Sequence, residues 1–126
     1  MERQQLVELT TRFVDAFNRN DLDTVMSFFA EDAVYDEFNG TRNEGKKAIR
    51  AAFTPQFTGA FGKMQFIDED LFVDADAGKV MASWCCTLEV KGRPTSWRGF
   101  DLLHFRGGKL VQKLTYAKAK VPLLQD

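Results

Sequence analysis

The most informative stretch of this sequence covers residues 79–105, which read KVMASWCCTLEV, then KGRP, then TSWRGFDLLHF. Consecutive side chains in a β-strand point to opposite faces of the sheet, so residues of the same parity share a face. In the first segment the more apolar face consists of Val80, Ala82, Trp84, Cys86 and Leu88. The Lys-Gly-Arg-Pro segment is a turn signal between two strands. The stretch therefore predicts an antiparallel hairpin whose Trp84 face is turned towards the core.

Two more turn signals extend this hairpin into a larger sheet. They are Asp76-Ala77-Gly78 and Arg106-Gly107-Gly108-Lys109. Together with the first turn they divide the second half of the chain into four predicted strands, near residues 64–74, 79–90, 95–105 and 109–118. Short connections that contain glycine favour antiparallel neighbours. The second half is therefore predicted to be an antiparallel meander.

The first half of the chain has a helical pattern instead. Apolar residues from Leu6 to Phe17 recur at spacings of three and four, which predicts a first helix. Asn20 is predicted to cap a second helix, and a short strand is predicted over residues 33–36. A third helix should end at Pro55, because the residue before a proline is disfavoured in helical geometry. Helices followed by strands predict an α+β domain, with the helices on one face of the sheet.

Length and composition restrict the classes of function. A chain of 126 residues predicts one domain, 1–126, and a net charge of −1 argues against binding to a nucleic-acid backbone. No segment approaches the roughly twenty apolar residues of a membrane span, and the start lacks an apolar signal core. We therefore expect a cytoplasmic protein that contacts neither nucleic acid nor membrane. The adjacent Cys85 and Cys86 lack a metal-ligand spacing, so we expect no metal site.

Asp101 is the residue whose position most suggests chemistry. It shares a strand face with Trp97 and Leu103. Apolar surroundings favour the uncharged form of a carboxyl group, and a neutral acid can donate a hydrogen bond to a developing oxyanion. Two alternatives are open: Asp101 lies at a wet rim, or it pairs with Arg98 or Lys113.

The opposite face of the same strand is apolar as well. It carries Phe100 and Leu102, and also His104, the only histidine of the chain. A sheet that is covered by helices on one side and apolar on the other often buries its second side against another chain. We therefore predict a homodimer through the outer sheet face, with His104 at the interface.

Five segments carry a resemblance to a known superfamily: FVDAFNRNDL (13–22), FFAEDAVYD (28–36), EGKKAIRAAF (44–53), GFDLLHF (99–105) and GGKLV (107–111). With the predicted order of elements, they resemble the nuclear transport factor 2-like superfamily, in particular its SnoaL-like and ketosteroid isomerase branch. The resemblance implies a cone-shaped, cystatin-like fold in which a curved, mostly antiparallel sheet wraps on three N-terminal helices.

The resemblance also implies a site. Asp36 falls where the isomerases keep the aspartate that shuttles a proton, and Asp101 falls where they keep the acid of the oxyanion hole. Phe13 departs from the pattern, since the isomerases place a tyrosine there and phenylalanine donates no hydrogen bond. The implied cavity is lined by Phe13, Phe17, Phe53, Trp84, Trp97, Leu103 and Lys113, although plain core packing is the alternative for each ring.

These features predict a pocket for a small hydrophobic molecule. The predicted chemistry is proton transfer next to a carbonyl group, with Asp36 as base and Asp101 as oxyanion donor, and it requires no cofactor. The alternative is a non-catalytic domain of the same fold that binds an apolar ligand or only dimerises. Lys113 would orient an anionic substrate or neutralise Asp101, and the alternative is a solvated lysine near a hairpin.

Overall fold

The computed structural model describes residues 1–118, which form three helices and six strands. The helices are α1 (Arg3–Asn18), α2 (Leu22–Ser27) and α3 (Lys46–Phe57). The strands are β1 (Phe29–Asp36), β2 (Arg42–Glu44), β3 (Gln65–Asp74), β4 (Lys79–Val90), β5 (Arg93–Arg106) and β6 (Lys109–Lys118). The end of the predicted domain, residues 119–126, lies outside the described residues.

All six strands belong to one curved sheet with the order β2-β1-β6-β5-β4-β3. Every neighbouring pair is antiparallel except β1 and β6, which run parallel. The predicted α+β class and the mostly antiparallel sheet are therefore confirmed. In the part of the chain described here, no helix combines the length and apolar character that crossing a bilayer requires.

The four strands of the second half lie where the turn signals place them. Only β5 begins earlier than predicted, at Arg93, because Lys91 and Gly92 alone make the turn. Both residues have positive φ angles, 53° and 76°. This is the backbone of a two-residue hairpin loop whose twist matches that of the flanking strands. Pairing therefore continues through Pro94 up to the turn itself.

The helical half differs from prediction at its boundaries. Asp21, not Asn20, caps α2, since the Thr24 backbone N–H donates to Asp21 Oδ1 at 3.1 Å. Asn20 instead adopts a left-handed conformation with φ of 59°. Pro55 does not end α3, which continues to Phe57. A proline in the last turn removes a single helical hydrogen bond, so the helix can run on past it.

Two features near the first strand were also not predicted. Strand β1 begins at residue 29 and not at residue 33, and the short strand β2 follows it. The irregular register of β1 against β6 explains the first difference, because pairing shifts between Phe29 and Val34. Strand β2 is short and polar, so its three residues carry no hydrophobic period.

The helices cover the inner face of the sheet, and the core lies between the two layers. Helix α1 contributes Leu6, Phe13 and Ala16, each no more than 1 % exposed. The predicted inner face of β4 is confirmed, since Val80, Ala82, Trp84, Cys86 and Leu88 are all buried. The core therefore forms between the apolar face of the helices and the apolar inner face of the sheet.

The outer face of the sheet carries apolar side chains that none of the three described helices covers. Leu102 on β5 pairs with Met81 on β4 and with Leu114 on β6. Beside them the rings of Phe100 and Tyr116 stack at a centroid distance of 4.8 Å. His104 has the same parity as Leu102, so it belongs to this outer face. The homodimer through this surface stays a prediction.

We expect the protein to sediment as a dimer at micromolar concentration. Leu102→Glu places a charge in the middle of the outer face, and desolvating that charge opposes association, so this variant should sediment as a monomer. Thr11→Glu adds the same charge to an exposed position of α1 and should leave the dimer intact. A monomeric wild-type protein would contradict the prediction.

Candidate functional site

A cavity of about 390 Å³ lies between the helices and the inner face of the sheet. Its walls are mostly apolar, and the aromatic side chains that line it include Phe13, Phe17, Phe53, Phe66, Trp84 and Trp97. Phe38 and Phe61, which lie in loops and are 40 % and 38 % exposed, stand at its opening. The cavity can therefore receive a hydrophobic molecule from solvent.

The rings hold one another in place around this cavity. Phe17 meets Phe13 and Phe53 edge to face, each at a centroid distance of 5.1 Å. Phe53 in turn stacks against Tyr35 of β1 at 4.6 Å. Edge-to-face and offset contacts of this kind stabilise by about 0.5–1.5 kcal/mol beyond burial alone. The cavity wall is thus built from rings on α1, α3 and β1 with fixed relative orientations.

Six of the seven residues predicted to line the cavity do so. These are Phe13, Phe17, Phe53, Trp84, Trp97 and Lys113. Leu103 is not in the cavity wall. It is 1 % exposed and packs in the main core cluster. Its parity on β5 is the predicted one, but the core at that level is filled by neighbouring side chains and leaves no opening.

Asp101 lies in the cavity wall and accepts three hydrogen bonds. Trp84 Nε1 donates to its Oδ2 at 3.1 Å. Lys113 Nζ and Thr115 Oγ1 both donate to its Oδ1, at 3.0 Å and 2.6 Å. The alternative in which Asp101 pairs with Lys113 is therefore the one that the structure contains. A carboxylate with these partners acts as an acceptor and a counter-ion, so the geometry gives no support to a neutral acid that donates to an oxyanion.

Lys113 is the cation of the cavity. Its side chain is 7 % exposed, and its ammonium group also donates to Thr115 Oγ1 at 2.8 Å. Nζ lies 4.6 Å from the centroid of the Tyr35 ring, within the range of a cation–π contact. Burial acts to lower the pKa of Lys113, but the negative charge of Asp101 and smaller contributions from Tyr35 and Glu37 outweigh it and raise that pKa. Lys113 therefore stays protonated.

Tyr35 supplies a phenol to the same wall. Burial is the main cause that raises its pKa above the ordinary value of 10.0, and the nearby Lys113 opposes this only in part. The hydroxyl group is therefore neutral at physiological pH. It interacts with the Thr115 hydroxyl, and this side-chain hydrogen bond acts to lower the same pKa.

The structure does not bring Asp36 to the cavity. Tyr35 and Glu37 line it, so Asp36, between them, points to the other side of β1. Its Oδ2 lies 3.9 Å from Nη1 of Arg42 on the neighbouring strand β2. The two aspartates that the resemblance pairs across a cavity are therefore separated by the sheet. The sequence indicates that Tyr35 and Asp36 have opposite faces, but not which of them faces inward.

Glu37 is the functional candidate that the sequence analysis missed. It lines the cavity, and Asn43 Nδ2 donates to its Oε2 at 3.0 Å. The same amide nitrogen donates to the backbone oxygen of Tyr35 at 3.3 Å, so Asn43 ties the carboxylate to strand β1. Its parity with Tyr35 was the signal that could have identified it.

Cys86 is not a candidate nucleophile, and the described residues offer no candidate metal site. Burial raises the pKa of Cys86 to about 11, so its thiol is uncharged and a poor nucleophile. The Trp97 indole approaches this thiol, and its buried Nε1 has no hydrogen-bond partner within residues 1–118. Over the same residues, His, Cys, Asp and Glu side chains form no group of three or more that could hold a metal.

Comparisons with known proteins agree on the fold. The family model described as the SnoaL-like domain matches residues 10–113. A proposed polyketide cyclase of Xanthomonas campestris pv. campestris is 23 % identical, with 90 % of each chain covered and a TM-score of 0.80. A nuclear transport factor 2-like protein of unknown function from Mesorhizobium loti is also 23 % identical, with 94 % and 96 % covered and a TM-score of 0.78.

One similar structure of lower sequence identity was co-crystallised with a small molecule. TerC, co-crystallised with polyporic acid, is 13 % identical to this chain, with 90 % and 92 % of the chains covered and a TM-score of 0.77. No curated protein sequence matches the chain significantly. At these sequence identities, the solved structures show that the fold is shared.

Gly99 leaves the space that the Trp84 indole needs. A Cβ atom at this position would lie 2.3 Å from the backbone oxygen of Tyr116 and 2.7 Å from Trp84 Cη2. We expect Gly99→Ala to destabilise the protein by about 1–3 kcal/mol, because the indole and two strands must shift. Urea denaturation measures this change. The exposed neighbour Ser96→Ala should have an effect within about 0.5 kcal/mol, and an equal effect of both variants would contradict the packing argument.

The buried ion pair predicts that the folded protein becomes less stable at alkaline pH. The pKa of Lys113 and that of Tyr35 are both raised, so the folded protein holds these two protons more tightly than the unfolded chain does. The resulting stabilisation is fully present below the ordinary pKa values of 10.0 for tyrosine and 10.5 for lysine, and is lost as the pH rises through the raised values. The free energy of unfolding, measured in urea, should therefore fall above pH about 10.

Two variants separate the contribution of the ion pair. Lys113→Met leaves Asp101 without its counter-ion and should lower the free energy of unfolding at neutral pH by about 3–5 kcal/mol. The neutral pair Asp101→Asn/Lys113→Gln should be less destabilised than this single variant. If Lys113→Met has the same free energy of unfolding as the wild-type protein, the ion pair does not contribute to folding stability.

Proposed function

The chain belongs to the SnoaL-like domain family, and on that basis we propose that its cavity binds a small hydrophobic carbonyl compound and catalyses proton transfer at the carbon next to the carbonyl group. The reaction class is that of an isomerase or a cyclase. Its substrate would be a largely apolar molecule that fits about 390 Å³ between aromatic rings.

The observation that carries this proposal is the buried Asp101–Lys113 ion pair in the wall of an aromatic cavity. Removing two charges from water is costly, and apolar residues of similar volume are often as stable or more stable at such a position. Two ammonium protons of Lys113 are donated to Asp101 and Thr115, and an ammonium group has three. The third is available to the carbonyl oxygen of a ligand.

The proposed reaction needs only groups that line the cavity. A carboxylate takes the proton from the carbon next to the carbonyl, and the electron pair of the broken C–H bond moves towards the oxygen. Lys113 stabilises the enolate that forms, in an apolar site where such an interaction is stronger than in water. The carboxylic acid then returns this proton to another carbon, or the enolate attacks a second carbonyl of the same molecule and the alkoxide that forms takes the proton back from the acid.

Glu37 is the proton acceptor in this proposal. Asp101 already accepts three hydrogen bonds, whereas Glu37 accepts one from Asn43 and forms no salt bridge within residues 1–118. Proton acceptance requires an oxygen with a free lone pair in contact with the ligand. Asp36 does not line the cavity and has no place in the mechanism.

The relatives support a small-molecule ligand without identifying it. Several similar structures are proposed polyketide cyclases, and TerC was crystallised with polyporic acid. The competing possibility is a binding domain in which the same cavity holds an apolar ligand without turnover. A proton-exchange measurement distinguishes the two.

The decisive experiment follows the exchange of the α-protons of 2-acetylnaphthalene and of a cyclic enone in D₂O by NMR. Wild-type protein should accelerate exchange, and Glu37→Gln should lower the rate by about 10²-fold or more. The neutral pair Asp101→Asn/Lys113→Gln should lower it by about 10²-fold because it removes the cation that faces the enolate. His104→Gln, on the outer face, is the matched control and should exchange at the wild-type rate. Binding of the ketone without exchange would favour the non-catalytic domain.

A further inference from the structure

Among residues 1–118, the side chains that line the cavity carry one more negative charge than positive charge. Its lining includes four side chains that can be ionised: Tyr35, Glu37, Asp101 and Lys113. Asp101 and Lys113 neutralise each other as an ion pair, and burial keeps Tyr35 uncharged. The formal charge of Glu37 is therefore the net charge that a ligand meets.

The carboxylate of Glu37 is also held in a defined position. Asn43 donates one hydrogen bond to Glu37 Oε2 and another to the backbone oxygen of Tyr35, and Asn43 and Tyr35 are register partners in the β1–β2 pair. The carboxylate is therefore held beside the end of β1, the strand that carries the phenol, on the cavity side. Its contribution to the raised pKa of Lys113 is the smallest of those that act on that group, whereas Asp101 accepts a hydrogen bond from the ammonium group at 3.0 Å.

From this arrangement we infer that Glu37 determines the charge class of the ligand: the cavity selects uncharged carbonyl compounds and rejects those that carry a carboxylate. The inference rests on the proposed function for the site but concerns binding alone. A ligand carboxylate would lie in an aromatic cavity beside Glu37, and Lys113, the only cation in the described part of the lining, is already paired with Asp101. Like charges a few ångströms apart in a partly buried site repel strongly enough to lower affinity about tenfold or more.

Lys113 taken alone predicts the opposite preference, for a negatively charged ligand. A lysine in an apolar cavity suggests an anionic substrate, which is one of the roles that the sequence leaves open for Lys113. The charge balance of the whole wall reverses that expectation, because Asp101 cancels the lysine and Glu37 remains. The remaining proton of the ammonium group still donates to a neutral carbonyl oxygen, which brings no charge of its own.

The test uses two flat probes of nearly equal shape, 2-acetylnaphthalene and 2-naphthoate, titrated by calorimetry at neutral pH. Wild-type protein should bind the ketone at least about tenfold more tightly than the carboxylate. Glu37→Gln keeps the size and the hydrogen-bonding capacity of the side chain, so it should tighten 2-naphthoate about tenfold and leave the ketone nearly unchanged. Asp36→Asn is the matched control, since it removes the same charge from the next residue on the opposite side of β1.

The outcomes separate the inference from the proposed function. Equal affinity of the two probes for wild-type protein, or a shift in selectivity with Asp36→Asn and not with Glu37→Gln, would overturn the inference even if proton exchange is observed. A selectivity that depends on Glu37 but is accompanied by no exchange would support the inference and remove the catalytic proposal. Circular dichroism of each variant ensures that the comparison is made between folded proteins.

Discussion

The buried ion pair between Asp101 and Lys113 is the constraint on which the rest of the site depends. Two charges removed from water must have all their remaining hydrogen bonds satisfied, so Trp84 and Thr115 both turn towards Asp101. The Trp84 indole can reach the carboxylate only because Gly99 has no side chain in its way.

The same constraint explains why the chain tolerates Phe13 on α1. In the isomerases that the sequence resembles, a tyrosine at that point donates to the developing oxyanion. Here the donors that face the cavity, Tyr35 and Lys113, both lie on the sheet, and they are register partners in the parallel β1–β6 pair. Phe13 is therefore free to pack, and it makes edge-to-face contacts with Phe17, Phe28 and Phe29. The helical layer supplies shape, and the sheet supplies polar groups.

The sequence predicted what local patterns determine and missed what distant contacts determine. Turn residues and strict alternation located the last four strands and the inner face of β4, because both signals lie within a few residues of the structure that they describe. The inward face of β1 depends on its parallel pairing with β6, about as distant in the chain as two elements can be, and no local pattern reports it. For that reason Asp36 was predicted in the cavity and Glu37 was overlooked. The ion partner of Asp101 stayed open for the same reason, since Lys113 reaches it only through the β5–β6 register.

The charged groups of the cavity lie on or directly after three adjacent strands. Strands β5 and β6 carry Asp101 and Lys113, and Glu37 directly follows β1, the other neighbour of β6. Side chains on or beside paired strands have little freedom to move relative to one another, so a proton acceptor and a cation placed there are organised before the ligand arrives. The opening is different, because Phe38 and Phe61 lie in loops and are partly exposed to solvent. Loops accept substitutions and changes of length more readily than paired strands do. Substitutions at the opening would therefore change which carbonyl compound fits, and substitutions on the three strands would change whether it reacts.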